Sequence, residues 1–142
     1  MPTPLRRPLL ALALAGSLGI SACGGDDNGG SASREAEEAQ ATPAQAVAEI
    51  GEVRTALDRA VTSLKAGNAK QADETVAEGY LEHFEKVEGP LEKVDGELNE
   101  HLEEAIRTDL RQRIKDGASV AEVQTMVGRI KADLAEAERK LR

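Results

Sequence analysis

Five glutamates in one short stretch are the side chains of this sequence best suited to chemistry. They are Glu78, Glu82, Glu85, Glu88 and Glu92. At about 100° per residue, Glu85, Glu88 and Glu92 lie within roughly 60° of one another on a helix that continues through this region. Carboxylate oxygens are hard ligands that suit iron(III), manganese or calcium. The spacing therefore permits a cation site, although glutamate is also a good helix former and spacing alone favours a solvated face.

Two histidines, His83 and His101, are the other candidate ligands. Each falls at the edge of an apolar helical stripe, where a histidine without a metal is the commoner case. Carboxylate-bridged iron bundles use Glu-x-x-His pairs. That order is absent here, because Tyr80 and Leu98 stand three residues before the two histidines. A symmetric di-metal centre is therefore not expected.

The only cysteine, Cys23, follows a segment typical of exported proteins. Arg6 and Arg7 precede a short apolar stretch, and Ser21 and Ala22 are small residues before the cysteine, which are the marks of a secretory signal. The segment resembles a bacterial lipoprotein signal with its lipobox. It predicts a signal peptide over 1–22, a lipidated Cys23 with a flexible linker over 23–41, and a folded domain over 42–142. Two acyl chains on Cys23 would anchor the protein at the outer face of a bacterial membrane.

Composition restricts the partners and the core. The net charge is −8 at pH 7 and becomes −10 without residues 1–22, which carry two arginines and no acids. This acidity excludes nucleic acid, whose phosphates need Lys and Arg, and favours cations as partners. The chain has no Trp, one Tyr and one Phe, so its core must consist mainly of Leu, Ile, Val and Ala. No pattern supports nucleophilic catalysis, and we expect no enzymatic activity.

Apolar residues recur at helical spacing from residue 43 to the end of the sequence. They predict helices over about 43–66, 69–88, 96–116 and 120–141, which together make an all-α, up-down four-helix bundle. Thr42, Asn68, Asp95 and Ser119 are the expected N-caps. The Gly89-Pro90 pair is expected to end or kink the second helix, because proline lacks the amide hydrogen. Gly67 and Gly117 are expected to end two other helices, and Gly79 to let another helix approach closely.

The stretch from 76 to 117 is similar to the soluble helical segment of bacterial high-affinity iron permeases. The matching positions are Tyr80, Phe84, Glu85, Glu88, Leu91, Val94, Asp95 and Leu98. The permeases also carry Glu-containing iron motifs inside membrane helices, and this sequence has none. The resemblance implies iron binding by Glu85 and Glu88, with Glu82 and Asp95 as further candidates. His83 is added to this metal site from local chemistry.

Together these observations predict an extracytoplasmic, lipid-anchored protein of iron uptake. It would bind or deliver iron, its only expected cofactor, beside a permease. The alternative is a structural or interaction lipoprotein that docks on a cell-envelope partner without a metal. The two differ in one respect: metal capture requires Glu85 and Glu88 to converge on a partly enclosed site, whereas docking requires an uncovered apolar face.

Overall fold

Three helical stretches joined by two short turns make up residues 41–142, which are the residues that this computed structural model describes. The first is α1 (Pro43–Lys65) and the last is α5 (Val120–Leu141). The middle stretch contains α2 (Ala69–Gly79), a π-helical segment (Tyr80–Phe84), α3 (Glu85–Glu103), a second π-helical segment (Glu104–Leu110) and α4 (Arg111–Lys115). No strand occurs among residues 41–142, and the predicted all-α class is confirmed.

Side chains at the helix starts satisfy amides that have no partner within the helix. Thr42, Asn68 and Ser119 each accept a hydrogen bond from the amide three residues later, as predicted. Thr42 and Ser119 form full capping boxes, in which the side chains of Gln45 and Glu122 accept a hydrogen bond from the backbone amide of the cap residue. The turns after α1 and α4 use Gly67 and Gly117, with φ of 79° and 78°, a region that favours glycine.

The middle stretch differs from the sequence prediction. Gly89-Pro90 does not end a helix, and α3 continues through both residues. The Pro90 ring is buried on the same face as Val87 and Leu91, and this burial offsets the hydrogen bond that proline removes. The direction of the chain changes instead at Asp95, whose φ of −161° and ψ of 86° are not helical. The predicted end or kink at Gly89-Pro90 is therefore wrong, and the predicted cap at Asp95 is confirmed by the hydrogen bond that the Leu98 amide donates to its side chain.

The helices pack around one apolar core. α1 lies against α2 and α5, α3 lies against α5, and α2 lies against α4. The buried side chains are mostly Leu, Ile, Val and Ala, together with Tyr80 and Phe84, as the composition predicted. The sequence predicts two separate helices between 69 and 116, whereas the structure has one helical stretch that bends at Asp95. No helix among residues 41–142 is long and apolar enough to span a membrane.

Gly79 allows α1 and α2 to approach closely. A Cβ atom at position 79 would lie 2.6 Å from the Cβ of Ala56, a distance at which two side chains overlap. The prediction made for Gly79 from its place before the aromatic pair is confirmed. The contact also fixes the start of the π-helical segment against α1, because Tyr80 follows Gly79 directly.

Candidate functional site

Tyr80 and Glu88 form the central contact of the candidate site. The Tyr80 hydroxyl donates to Glu88 Oε1 at 2.6 Å. In a regular α-helix two residues eight apart point about 80° away from each other. The π-helical segment over Tyr80–Phe84 has wider turns that advance less per residue. We attribute the alignment of Glu88 with Tyr80 to this segment.

Burial and neighbouring carboxylates make Glu88 a costly place for a negative charge. Burial raises the pKa of Glu88, and the carboxylates of Glu103 and Glu85 raise it further. The Tyr80 hydrogen bond and the Arg107 guanidinium act in the opposite direction. Burial and the contact with Glu88 also raise the pKa of the Tyr80 hydroxyl. The contact therefore favours a protonated Tyr80 hydroxyl, and its surroundings destabilise a negative charge on Glu88.

Arg107 covers the other side of the Tyr80 ring. Its Cζ atom lies 5.8 Å from the ring centroid, within the range of a cation–π contact. Its Nη1 atom donates to Glu103 Oε1 at 2.7 Å. Arg107 belongs to the second π-helical segment and Tyr80 to the first, so the two irregular segments meet at this contact. Irregular turns of this kind are frequent at functional sites.

A small open cavity of about 190 Å³ adjoins this contact. Its lining residues are Ala77, Tyr80, Leu81, Glu85, Arg107 and Arg111. Glu85 is exposed and reaches the cavity from α3. Arg111 is held by two hydrogen bonds to the Asp73 carboxylate, at 2.8 and 3.3 Å. The site thus combines a phenol, carboxylates and two guanidinium groups at the surface between α2–α3 and the second π-helical segment.

The five predicted metal ligands lie in different places. Glu85 and Glu88 share the surroundings of Tyr80, and Glu82 is exposed on the first π-helical segment. His83 contacts α1 instead, where its Nδ1 lies 2.7 Å from Glu49 Oε2. Asp95 lies at the bend of α3. Among residues 41–142, no three His, Cys, Asp or Glu side chains are close enough together to hold a metal ion.

His83 and Asp95 have partners that explain their positions without a metal. Lys86 Nζ lies 3.1 Å from Glu49 Oε1, beside the contact with His83. The His83 contact is the largest cause of the lowered pKa of Glu49, and Lys86 lowers it further against the effect of burial. Asp95 caps the Leu98 amide at 3.0 Å with Oδ1, and its Oδ2 lies 2.9 Å from Lys140 Nζ.

His101 also pairs with a carboxylate on a neighbouring helix. Its Nε2 lies 3.4 Å from Asp133 Oδ2 on α5. The side chain is exposed and far along the chain from Glu85 and Glu88. Both histidines therefore join two helices through contacts with carboxylates.

Sequence reasoning missed the polar role of Tyr80 and the parts played by Arg107 and Glu103. The buried Tyr80 had one usable signal, since the hydroxyl of a buried tyrosine usually needs a partner. Glu103 and Arg107 have the spacing of a helical ion pair. The position of Arg107 over the Tyr80 ring depends on the second π-helical segment, for which the sequence pattern offers no signal.

The predicted lipidation site, Cys23, and the signal segment 1–22 lie outside the described residues. No family model, curated protein or solved structure matches this chain.

Proposed function

We propose that this protein is a lipid-anchored extracytoplasmic protein that binds or delivers iron through Glu88 and Glu85, with Tyr80 as an additional oxygen ligand. The supporting observation is the half-buried Glu88 carboxylate with two other carboxylates acting on it. A hard cation would relieve this repulsion and accept oxygen ligands from the same groups. The choice of iron rests on the similarity of residues 76–117 to the iron permease segment.

In the proposed binding step the cation displaces the neutral Tyr80 hydroxyl from the Glu88 carboxylate. The hydroxyl keeps its proton and turns its oxygen to the cation, while Arg107 stays on Glu103. Glu85 is exposed and can turn towards the cation from the cavity. Because a carboxylate must be deprotonated to bind a metal and the pKa of Glu88 is raised, protons compete with the cation and binding weakens as pH falls. Binding beside a cavity that opens to the surface suits delivery to a permease better than storage.

The proposal includes the finer architecture and the location of the protein. We take the bend at Asp95 as the boundary between the second and third helices of an up-down four-helix bundle. Cys23 would carry the lipid, and residues 24–41 would link it to the domain. This arrangement would hold the Tyr80 site near the membrane surface, beside the permease that receives the iron.

The test is calorimetric titration of the full chain carrying Cys23→Ser, kept in mild detergent. Iron(II), iron(III)-citrate, manganese and calcium are titrated separately. The test variant is Glu85→Gln with Glu88→Gln, which keeps side-chain size and removes two charges. The matched control is Glu97→Gln with Glu100→Gln, which has the same spacing and charge change at two exposed residues of α3.

Saturable iron binding that is lost in the test variant and kept in the control supports the proposal. Equal loss in both variants would mean that iron responds only to overall charge. Absence of binding to the folded chain would favour the alternative, a docking lipoprotein. Within residues 41–142 the large exposed hydrophobics are Leu81 and Val94, which do not make the continuous apolar face that docking requires.

A further inference from the structure

Asp95 is the whole connection between two antiparallel helical segments. It is the one residue of α3 with non-helical torsion angles. Two contacts show that the chain reverses there. Arg107 and Arg111, which follow the bend, contact Tyr80 and Asp73, which precede it. Antiparallel helices are usually joined by two to five residues. A connection of one residue leaves very little chain to hold the two segments side by side.

A few polar contacts hold this bend. Asp95 caps the Leu98 amide and pairs with Lys140. Asn99 Nδ2 donates to Glu92 Oε2 at 3.3 Å across the bend, whereas residues seven apart in a straight helix are separated by about 10 Å along the axis. Asn99 Oδ1 is buried without a hydrogen-bond partner. The bent form therefore carries the cost of one unsatisfied acceptor at the hinge.

A change of Asp95 to helical torsion angles would straighten the chain. Residues 69–115 would then form one helix about 70 Å long. Its two halves could no longer pack on each other, and buried residues such as Phe84, Leu91, Leu102 and Leu110 would be exposed in a single copy. Since that exposure is very unfavourable, the straight form requires a second copy to restore the core.

We propose that this protein forms a domain-swapped dimer by straightening at Asp95. Residues 43–94 of one copy pack with residues 96–142 of the other, and the reverse. Contacts within each half stay within one copy, and the contacts between the two halves away from the hinge are remade between copies. Apart from the entropy lost on association, the difference in free energy between the two forms is therefore confined to the hinge. Short connections favour this exchange, because a short connection joins two helices more easily in a straight line than folded back on each other.

Val94 supplies an observation that favours the second copy as partner. It is one of the two large exposed hydrophobics of residues 41–142, with 52% of its surface accessible, and it stands next to the hinge. In a swapped dimer the two hinges meet at the twofold axis, where the two Val94 side chains can cover each other. The proposal does not depend on iron binding, since Tyr80, Glu88 and Arg107 would be brought together in both forms.

The other two connections lack these properties. After α1, the Asn68 amide donates to Ser63 O and the Gly67 amide to Leu64 O, which is a stable reversal with a glycine at positive φ. The turn before α5 repeats the pattern, with the Ala118 amide donating to Arg113 O. These turns satisfy the helix-end carbonyls. The hinge at Asp95 is therefore the expected site of exchange.

Three variants test the proposal in the full chain carrying Cys23→Ser. Asp95→Ala removes the cap and favours helix, so the dimer dissociation constant should fall by about tenfold or more, since each dimer contains two hinges. Gly96→Pro disfavours helical torsion angles at residue 95, and proline is accepted at the first position of a helix. Gly96→Pro should therefore abolish the dimer. A Cβ atom at position 96 would approach the far end of the Glu92 side chain, which can move. Ser119→Ala removes a cap at an ordinary turn and should leave the oligomeric state unchanged.

Mass is measured by light scattering, and the geometry by a distance between spin labels. Labels at Glu78→Cys and Asp109→Cys lie close together in the bent form and about 46 Å apart in a straight helix. Labelled chains are refolded with an excess of unlabelled chains, so that only distances within one copy are seen.

A dimer with the long distance, enriched in Asp95→Ala and absent in Gly96→Pro, is the expected result. A dimer that keeps the short distance, or a chain that stays monomeric at all concentrations with alanine at 95, would overturn the proposal. If Asp95→Ala does not fold, the comparison of the parent chain with Gly96→Pro after refolding at high concentration decides in the same way.

Discussion

The Tyr80–Glu88 contact combines a donor with a raised pKa and an acceptor whose charge is destabilised. The hydroxyl is a neutral partner, so it satisfies the hydrogen-bonding capacity of Glu88 without neutralising the charge. Arg107 would neutralise it but is held on Glu103. At the residue scale, the structure therefore leaves a carboxylate that gains from an added positive charge.

Tyr80→Phe isolates the hydroxyl, because it keeps the ring under Arg107 and removes only the hydrogen bond. Since the Tyr80 hydrogen bond lowers the pKa of Glu88 against the effect of burial, the variant should raise that pKa further. The free energy of unfolding at neutral pH should fall by about 1 kcal/mol. Carboxyl-selective NMR titration of Glu88 measures the first effect and urea unfolding the second. An unchanged or lower pKa would show that Tyr80 does not stabilise the Glu88 charge.

The packing of α2 against α1 depends on the absence of a Cβ atom at Gly79. At Gly79 a methyl group would overlap Ala56 Cβ at 2.6 Å, and overpacking typically costs 1–3 kcal/mol, about 1 of which the better helix propensity of alanine offsets. We expect Gly79→Ala to lower the free energy of unfolding by on the order of 1 kcal/mol. The control is Gly51→Ala in α1, where an added Cβ atom would meet nothing within 4 Å outside the backbone of its own helix.

Gly51→Ala should raise the free energy of unfolding by about 0.5–1 kcal/mol, because alanine replaces an exposed glycine in a helix interior. Chemical denaturation of both variants gives opposite signs if the close approach at Gly79 is real. A stabilising effect at both positions would contradict the close packing of α2 on α1 at Gly79.

The helices show which features of the fold could be predicted from the sequence and which could not. Caps at Thr42, Asn68 and Ser119 were predictable because capping depends on residues a few positions apart. The course of the chain through Pro90 was not, since it depends on burial of the proline ring by other helices. The π-helical segments were not predicted either, because one wider turn leaves the sequence pattern of apolar residues unchanged. Glu85 lies close enough to Glu88 to raise its pKa, whereas His83 contacts Glu49 on α1, a partner that no local pattern indicates.

The whole molecule carries carboxylates whose pKa values are shifted in opposite directions. The His83 contact lowers the pKa of Glu49. Burial raises the pKa of Asp73, but Arg111 and Lys115 outweigh it and lower the pKa overall. Such groups contribute stability above their unfolded pKa and lose it as pH falls through their folded pKa. Glu88 acts with the opposite sign, since its raised pKa means that stability is lost as pH rises.

We therefore expect the free energy of unfolding to decrease as pH falls below about 4.5, near the unfolded pKa of these carboxyl groups. Glu49→Gln and Asp73→Asn should each make this acid decline shallower, because each removes a group that takes up a proton on acid unfolding. Glu88→Gln should raise stability at pH 7 and make the decline steeper, because it removes a group that the folded state prefers to protonate. Urea unfolding at a series of pH values between 3 and 7 measures all three slopes. If Glu88→Gln lowered stability at neutral pH, its carboxylate would already be satisfied in the folded chain, and the physical case for a cation at this site would fail with it.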